Sequence, residues 1–262
     1  MIHFAIKNLE FAHTYIENGK DYQCSTHCHN SYELYFLLSG NVDYVVGTKQ
    51  YSLKPFDLLV IPPSIYHCPR SIQGSYERVI FNFSIADLPK DVRPLLKNLG
   101  DRYYVRNNVF FRSIPLDFLS FIESLPSELL IRTTKNLIEL SIINLSQQAT
   151  SDIIVTHDSS LLSKIITYID DNINKNLMLN NVAKIFYTTP AWINYSFKKR
   201  FNIPYSQYVK TKKMIYAQSL LQNGEPPVNV SLTCGFEFYT TFLRQYKSIF
   251  GRNPSDDFIE KE

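Results

Sequence analysis

Residues 179–201 read LNNVAKIFYTTPAWINYSFKKRF, and residues 228–254 read VNVSLTCGFEFYTTFLRQYKSIFGRNP. Each segment contains a short apolar helix, a turn and a longer helix, which is the arrangement of a helix-turn-helix unit. Tyr187-Thr188 and Cys234-Gly235 are the predicted turns. Thr189-Pro190 suits the N-cap and the first position of the longer helix in the first unit. The sequence therefore predicts two such units in tandem.

The longer helix of each unit has one predicted buried face. Apolar side chains recur every four residues and so share one side of the helix: Ile193, Phe197 and Phe201 in the first, and Phe242, Tyr246 and Phe250 in the second. The predicted outward residues are Ala191, Asn194, Tyr195, Lys198 and Lys199 in the first helix, and Thr240, Arg244, Lys247 and Ser248 in the second.

The charge of this region indicates its partner. Residues 175–252 contain eleven Lys or Arg against two acidic residues, which gives +9, whereas residues 1–160 contain 14 basic and 16 acidic residues. A basic segment with two exposed helices of groove size is typical of duplex DNA binding. A plain helical bundle, the competing interpretation, does not account for this charge.

The same region resembles the AraC/XylS transcription regulators. The resemblance rests on these residues: Ala183, Trp192-Ile193, Phe197-Lys198, Tyr208, Ala217, Leu220-Leu221, Val228, Val230, Gly235-Phe236, Phe242, Arg244, Tyr246-Lys247, Gly251 and Asn253-Pro254. The chain departs from the family pattern at Tyr195, Asn202, Lys213, Ser231 and Phe238, which bears on base preference rather than on fold.

The resemblance implies double-stranded promoter DNA as a partner, and RNA polymerase as a second where the protein activates. The DNA-binding residues implied are Ala191, Asn194, Tyr195, Lys198, Lys199, Tyr239, Thr240, Arg244 and Lys247. Arg244 is the predicted guanine reader, because arginine bidentate to guanine is the commonest specific contact. Lys198 and Lys247 are assigned to phosphates, which position a protein without reading sequence.

Residues 22–83 have a β pattern, with predicted strands over 33–39, 42–46, 50–53, 58–61 and 78–83 and predicted turns at Gly40-Asn41 and at residues 55–57. Residues 1–20 are interpreted as an arm. Two pieces resemble the cupin motifs: His27-Cys28-His29 with Glu33 and Gly40, then Asp57, Pro62 and His67. A cupin-like barrel would bring the three histidines and Glu33 to one interior.

Two interpretations of this interior are open. The predicted effector-binding residues are His27, His29, Glu33, Tyr35, His67 and Arg78. They suit a polar small molecule such as a sugar, with no resident cofactor, and this is the favoured interpretation. The alternative is that His27, His29, Glu33 and His67, the usual cupin metal set, hold Fe, Mn, Zn or Ni.

Residues 115–125 and 128–146 are predicted helices. The second has an apolar stripe broader than one surface helix needs, which predicts a homodimer interface beside packing on the barrel. Residues 148–160 are polar and uneven and predict a linker. The predicted domains are a cupin-like barrel (1–112), a helical dimerisation segment (113–147), this linker, and the DNA-binding domain (161–262).

Composition excludes several classes. Aromatic residues at 14% and charged residues at 19% indicate globular domains rather than disorder. No stretch is long and apolar enough for a membrane span or a signal peptide. Cys24, Cys28, Cys68 and Cys234 form no paired framework, so a reduced, cytoplasmic setting is expected.

The sequence thus predicts an α+β chain: a cupin-like sensor barrel and helical segment followed by an all-α tandem helix-turn-helix domain. Its predicted function is sequence-specific transcription regulation, without enzymatic activity. Two other classes compete. A metal-dependent cupin enzyme would leave the basic C-terminal half without a role. A non-specific nucleoid-associated protein would show no preference among DNA sites, whereas a regulator shows a large ratio.

Overall fold

The computed structural model describes residues 2–6, 9–22, 24–99, 104–105, 108, 112, 121–122, 124–147 and 160–259. The chain divides into two compact units, Met1–His157 and Asp158–Glu262. The division lies within the predicted linker, whose residues 148–159 fall outside the described residues, as does most of the predicted helix 115–125.

The first unit contains one antiparallel sheet. Its strands are β1 (Ile2–Ile6), β2 (Leu9–Ile16), β3 (Tyr32–Val46), β4 (Lys49–Leu53), β5 (Leu58–Ile61), β6 (His67–Phe83) and β7 (Tyr104–Val105). The strand order is β1-β2-β6-β3-β5-β7, with β4 paired to β3. The described part of the unit also contains helices α1 (Arg93–Asn98) and α2 (Ser127–Gln147). A β-rich first half was predicted correctly.

The predicted turn at Gly40-Asn41 is wrong. β3 runs through it, and the pairing with β6 resumes on the far side, with Asn41 opposite Gln73. Gly40 has a φ of 94°, and a Cβ there would collide with the carbonyl oxygen of Ser75. Only glycine tolerates both conditions, so Gly40 produces an irregularity that bends one long strand.

The prediction of an arm over residues 1–20 is also wrong for residues 9–16, which form β2. This strand pairs with β6, placing Phe11 opposite Phe81, and Phe11 is fully buried. β6 likewise begins at His67, well before the predicted residue 78. Residues 84–112 contain α1 and β7.

The sheet buries side chains on both faces. On β3, Leu34 and Phe36 belong to a cluster that includes Ile138 and Ile142 of α2. Tyr35 lies on the opposite face, in a second cluster made by the sheet itself. This second face, called the inner face below, positions the predicted effector residues. Alternation along a strand explains how neighbours serve different cores.

The second unit is helical. Its elements are α3 (Leu161–Asp171), α4 (Leu179–Ile185), α5 (Pro190–Phe201), α6 (Tyr205–Gln222), α7 (Pro227–Thr233), α8 (Tyr239–Phe250) and α9 (Pro254–Asp257). The tandem prediction is confirmed: α4 and α5 form the first helix-turn-helix, and α7 and α8 form the second. Thr189 caps α5, its hydroxyl accepting from the Trp192 N–H.

The predicted buried faces agree with the structure except at one position. Ile193, Phe197 and Phe201 are fully buried in α5, as are Phe242 and Tyr246 in α8. Phe250 is only partly buried, because it lies in the last turn before Gly251 ends the helix. Its ring centroid still lies 4.6 Å from that of Tyr246, with the two rings tilted relative to each other.

Candidate functional site

The outer face of α5 carries the first set of predicted DNA-binding residues. Ala191, Lys198 and Lys199 are exposed, and Tyr195 is 62% exposed. The ammonium of Lys199 lies 5.9 Å from the centroid of the Tyr195 ring. Tyr187, which is not among the predicted residues, is 98% exposed in the turn before α5 and has a φ of 51°. Nothing in its spacing distinguishes it from a turn residue.

Asn194 occupies a different environment from its predicted partners. It is half-buried, and its Oδ1 accepts a hydrogen bond from the backbone N–H of Tyr205 at 3.2 Å. The N-cap of α6 is Pro204, whose side chain offers no acceptor. Asn194 therefore satisfies one of the free N–H groups at the start of α6.

On α8, Thr240, Arg244 and Lys247 are exposed, whereas Tyr239 is partly buried and packs against Phe242 with ring centroids 5.9 Å apart. Phe238 stands at the N-cap without a side-chain capping bond and is 63% exposed. The second recognition helix thus begins with an exposed aromatic side chain.

Two other departures from the family pattern, Asn202 and Lys213, have structural explanations. Asn202 has a left-handed backbone at the end of α5, a conformation that asparagine tolerates better than most residues. Nζ of Lys213 donates to the carbonyl oxygens of Lys175 and Cys234, at 2.9 and 3.0 Å. Lys213 thereby links the segment before the first unit to the turn of the second.

In the first unit the structure brings the histidines and Glu33 together. One ligand atom from each of His27, His29, Glu33 and His67 lies within 4.8 Å of the others. We call these four residues the His/Glu cluster. His27 and His67 exchange backbone hydrogen bonds, while Glu33 pairs across the sheet with Asn82 and Ile61. Sheet pairing therefore assembles residues that lie 40 positions apart in sequence.

Backbone carbonyl groups favour a proton on Nδ1 of His27 and His67, whereas Nδ1 of His29 also lies 2.8 Å from the Ser31 hydroxyl, which can donate to it. Nδ1 of each ring lies at hydrogen-bond distance from a carbonyl oxygen: Ser25 for His27 (3.0 Å), Ser31 for His29 (3.1 Å) and Ile65 for His67 (2.8 Å). A neutral imidazole that donates through Nδ1 leaves Nε2 unprotonated. This outer hydrogen bonding is typical of histidines that bind metals.

Two buried atoms of the cluster lack partners. Among the described residues, Glu33 Oε1 and His67 Nε2 have no hydrogen-bond partner. Glu33 Oε2 lies 3.2 Å from His29 Nε2 and 3.4 Å from His67 Nε2. An unsatisfied buried polar group costs about 1–3 kcal/mol, and more when charged. A divalent ion would satisfy both atoms, so the four residues fit a metal.

Electrostatics in the cluster favour an ionised carboxylate. Burial alone would raise the pKa of Glu33, but His67 and His29 hold it well below its usual range. Burial would lower the pKa of His67, yet Glu33 raises it. Partial burial and the neighbouring His67 lower the pKa of His27 to about 4, which keeps that ring neutral. Metal binding requires an ionised carboxylate and neutral imidazoles, so the proton that Glu33 favours on His67 has to leave when a metal binds.

The remaining predicted effector residues form an adjoining group. Tyr35 is fully buried, and its hydroxyl lies 3.1 Å from that of Tyr76. Arg78 donates to the Tyr22 hydroxyl at 2.8 Å, and its Nε is buried without a partner among the described residues. The sequence missed Tyr22 and Tyr76. Tyr76 and Arg78 are two residues apart on β6, so their side chains lie on the same face of the sheet. This spacing is the sequence signal that points to Tyr76.

Both halves of the chain match known domain families. Residues 182–258 match a helix-turn-helix domain family, and residues 14–77 match a cupin domain family. An N-terminal cupin domain joined to a C-terminal helix-turn-helix domain defines the class of this protein.

Three relatives are transcription regulators. The uncharacterized regulator YfiF of Bacillus subtilis is 21% identical over 247 residues, covering 89% of this chain and 78% of YfiF. The uncharacterized regulator YijO of Escherichia coli is 26% identical over 163 residues, covering 61% of this chain and only 56% of YijO. The transcriptional activator AarP of Providencia stuartii is 26% identical over 98 residues, covering 37% of this chain and 73% of AarP.

The chain thus combines a cupin domain with a helix-turn-helix domain of the AraC type, and its relatives YfiF and YbfI of Bacillus subtilis are named as helix-turn-helix transcriptional regulators. This confirms the class predicted from sequence and does not favour the cupin-enzyme alternative. Within the described residues, no helix combines the length and the apolar character that crossing a bilayer requires.

Proposed function

We propose that this protein is a homodimeric, effector-responsive regulator that binds promoter DNA through both helix-turn-helix units and has no enzymatic activity of its own. The observation that carries the proposal is the exposure of lysine or arginine side chains on both α5 and α8 within one basic unit. Where the protein activates transcription, RNA polymerase is a further partner, as the name of the activator AarP suggests by analogy.

Footprinting tests the DNA-binding geometry. Full-length protein on a duplex selected from a random library is expected to give, for each protomer, two protected major-groove segments about 10 base pairs apart on one DNA face. The reason is that two recognition helices on one compact unit enter successive grooves. Protection of one groove per protomer would show that only one helix-turn-helix unit reads DNA.

The dimer proposal rests on α2. One side of this helix is buried against the sheet through Leu137, Ile138 and Ile142. The opposite side exposes Leu129, Leu140 and Ile143, by 48%, 49% and 37%. A second copy of the same helix could cover this apolar stripe, because a twofold interface uses the same patch on both partners.

Leu140→Glu is therefore expected to weaken dimerisation at least about tenfold, since it would bury an unpaired carboxylate in the interface. Sedimentation equilibrium of the full chain measures this. Gln73→Glu places the same charge on the exposed surface of β6 and should leave the dimer constant unchanged. Equal behaviour of both variants would remove α2 from the interface.

The sensor site is proposed to be the inner face around the His/Glu cluster. The sequence favours an organic effector and no metal. Binding of such an effector by Tyr35 and Arg78 remains a prediction. The two unpartnered buried atoms favour a divalent ion held by His27, His29, Glu33 and His67. Such an ion would supply a Lewis-acidic centre in the same unit as the adjoining residues Tyr35, Tyr76 and Arg78. The protein's own residues would orient the imidazoles and keep the carboxylate ionised.

A further inference from the structure

The two recognition helices present different chemistry to DNA. On α5, Ala191 and Tyr195 are four residues apart, so they share one exposed face. Tyr195 contributes a large aromatic surface, with the Lys199 ammonium 5.9 Å from its ring centroid. On α8, the corresponding exposed face carries Thr240 and Arg244.

The side-chain amide of Asn194 on α5 has a structural role. Asn194 would be the natural adenine reader of this helix, because asparagine can bond both N6 and N7 of adenine. Its Oδ1 instead accepts from the Tyr205 N–H at 3.2 Å, in place of the side-chain cap that Pro204 cannot supply. Turning Asn194 toward DNA would leave that N–H at the start of α6 without its acceptor.

The arginine of α5 is also poorly placed to read bases. Arg200 lies in the last turn of α5 and is partly buried. Lys198 and Lys199 precede it, in the C-terminal half of the helix, where lysine suits phosphate better than base edges. The outward positions in the N-terminal half of α5, which the structure describes throughout, therefore include Ala191 and Tyr195. Their methyl group and ring match the one apolar feature of the major groove, the C5-methyl group of thymine.

We propose that the first helix-turn-helix reads thymine methyl groups through Tyr195, assisted by Ala191, whereas the second reads guanine through Arg244. This rests on the proposed DNA binding by both units. It assigns a T-rich segment of the operator to α5 and a guanine to α8, with the two segments about 10 base pairs apart.

Deoxyuridine tests the proposal, since it differs from thymidine only by the missing methyl group. Full-length protein selects duplexes from a random library, and each thymine of the recovered site is then replaced singly by deoxyuridine. At one or two positions in one groove the affinity is expected to fall about fourfold, the equivalent of about 0.8 kcal/mol for a buried methyl-sized group. Replacing guanine by 7-deazaguanine in the other groove removes the N7 acceptor and should weaken binding there.

Variants assign each effect to a helix. Tyr195→Ala should lose the deoxyuridine effect and keep the 7-deazaguanine effect, and Arg244→Ala should do the reverse. Tyr195→Phe keeps the ring and should keep the deoxyuridine effect. The proposal is overturned if wild-type protein ignores every deoxyuridine, if Tyr195→Ala retains the effect, or if Tyr195→Phe loses it. Failure to recover any preferred duplex would instead refute sequence-specific DNA binding itself, and this inference with it.

Discussion

Purified full-length protein is expected to contain close to one equivalent of Fe, Mn, Ni or Zn, and His67→Ala is expected to lose it. His67 is fully buried, and its Nε2 has no hydrogen-bond partner among the described residues. Metal that binds only the folded state stabilises it by RT ln(1 + [L]/Kd), about 4 kcal/mol at a thousandfold excess over Kd. Elemental analysis and thermal unfolding with and without a chelator measure the two effects.

The pH dependence of metal retention follows from the ligands. Metal binding requires neutral imidazoles and an ionised carboxylate, and protons compete for the same nitrogen atoms. Because Glu33 raises the pKa of His67, affinity should be fully present above that raised pKa and fall as the pH drops through it, whereas His27, with a pKa of about 4, binds competing protons only at lower pH. Dialysis at a series of pH values, followed by elemental analysis, tests this.

His13→Ala provides the matched control. His13 lies in the same unit and contacts a carboxylate, with its Nε2 2.8 Å from Glu77 Oε1, yet it is not part of the His/Glu cluster. This variant should keep the metal. If the purified protein contained no metal and chelators did not change its stability, the prediction would be contradicted. The organic-effector interpretation of the inner face would then be restored.

The second large effect is expected for Phe197→Ala, which should lower the stability of the DNA-binding unit by about 3–5 kcal/mol. Phe197 is fully buried, and its ring centroid lies 5.8, 5.3 and 4.8 Å from those of Phe201, Tyr205 and Tyr208. Truncation removes these contacts and leaves a cavity between α5 and α6. Denaturant unfolding of the full chain, followed by helical circular dichroism, measures the change.

Tyr187→Ala removes a larger aromatic side chain that is 98% exposed in the same unit. Its stability should stay within about 0.5 kcal/mol of wild type, because surface substitutions that break no structural feature have small effects. If Phe197→Ala were equally mild, the two helices would not depend on this aromatic cluster for their packing.

Local signals explain why the helical half was predictable. Thr189-Pro190 begins α5, Gly251 ends α8, and apolar residues recur every four positions between such caps. Each signal acts within one or two helical turns, so it is present in a short stretch of sequence. The outward positions follow from the same periodicity.

Long-range pairing explains where the predictions failed. Gly40-Asn41 has the composition of a hairpin turn, yet β3 continues because β6 pairs with it on both sides. Residues 9–16 are interpreted from sequence as part of an arm, but they form β2 because β6 pairs with them. In both cases β6, a strand distant in sequence, decided the outcome.

The sequence by itself determined the tandem helix-turn-helix units, their positive charge and the spacing of the cupin-like motifs, because periodicity, caps and charge are properties of contiguous residues. Only the tertiary structure decided that His27, His29, Glu33 and His67 converge, and that Glu33 Oε1 and His67 Nε2 are buried without hydrogen-bond partners among the described residues. The physical reason is that burial and hydrogen-bond satisfaction depend on every strand that packs around an atom, and sheet pairing assembles those strands from positions far apart in the chain.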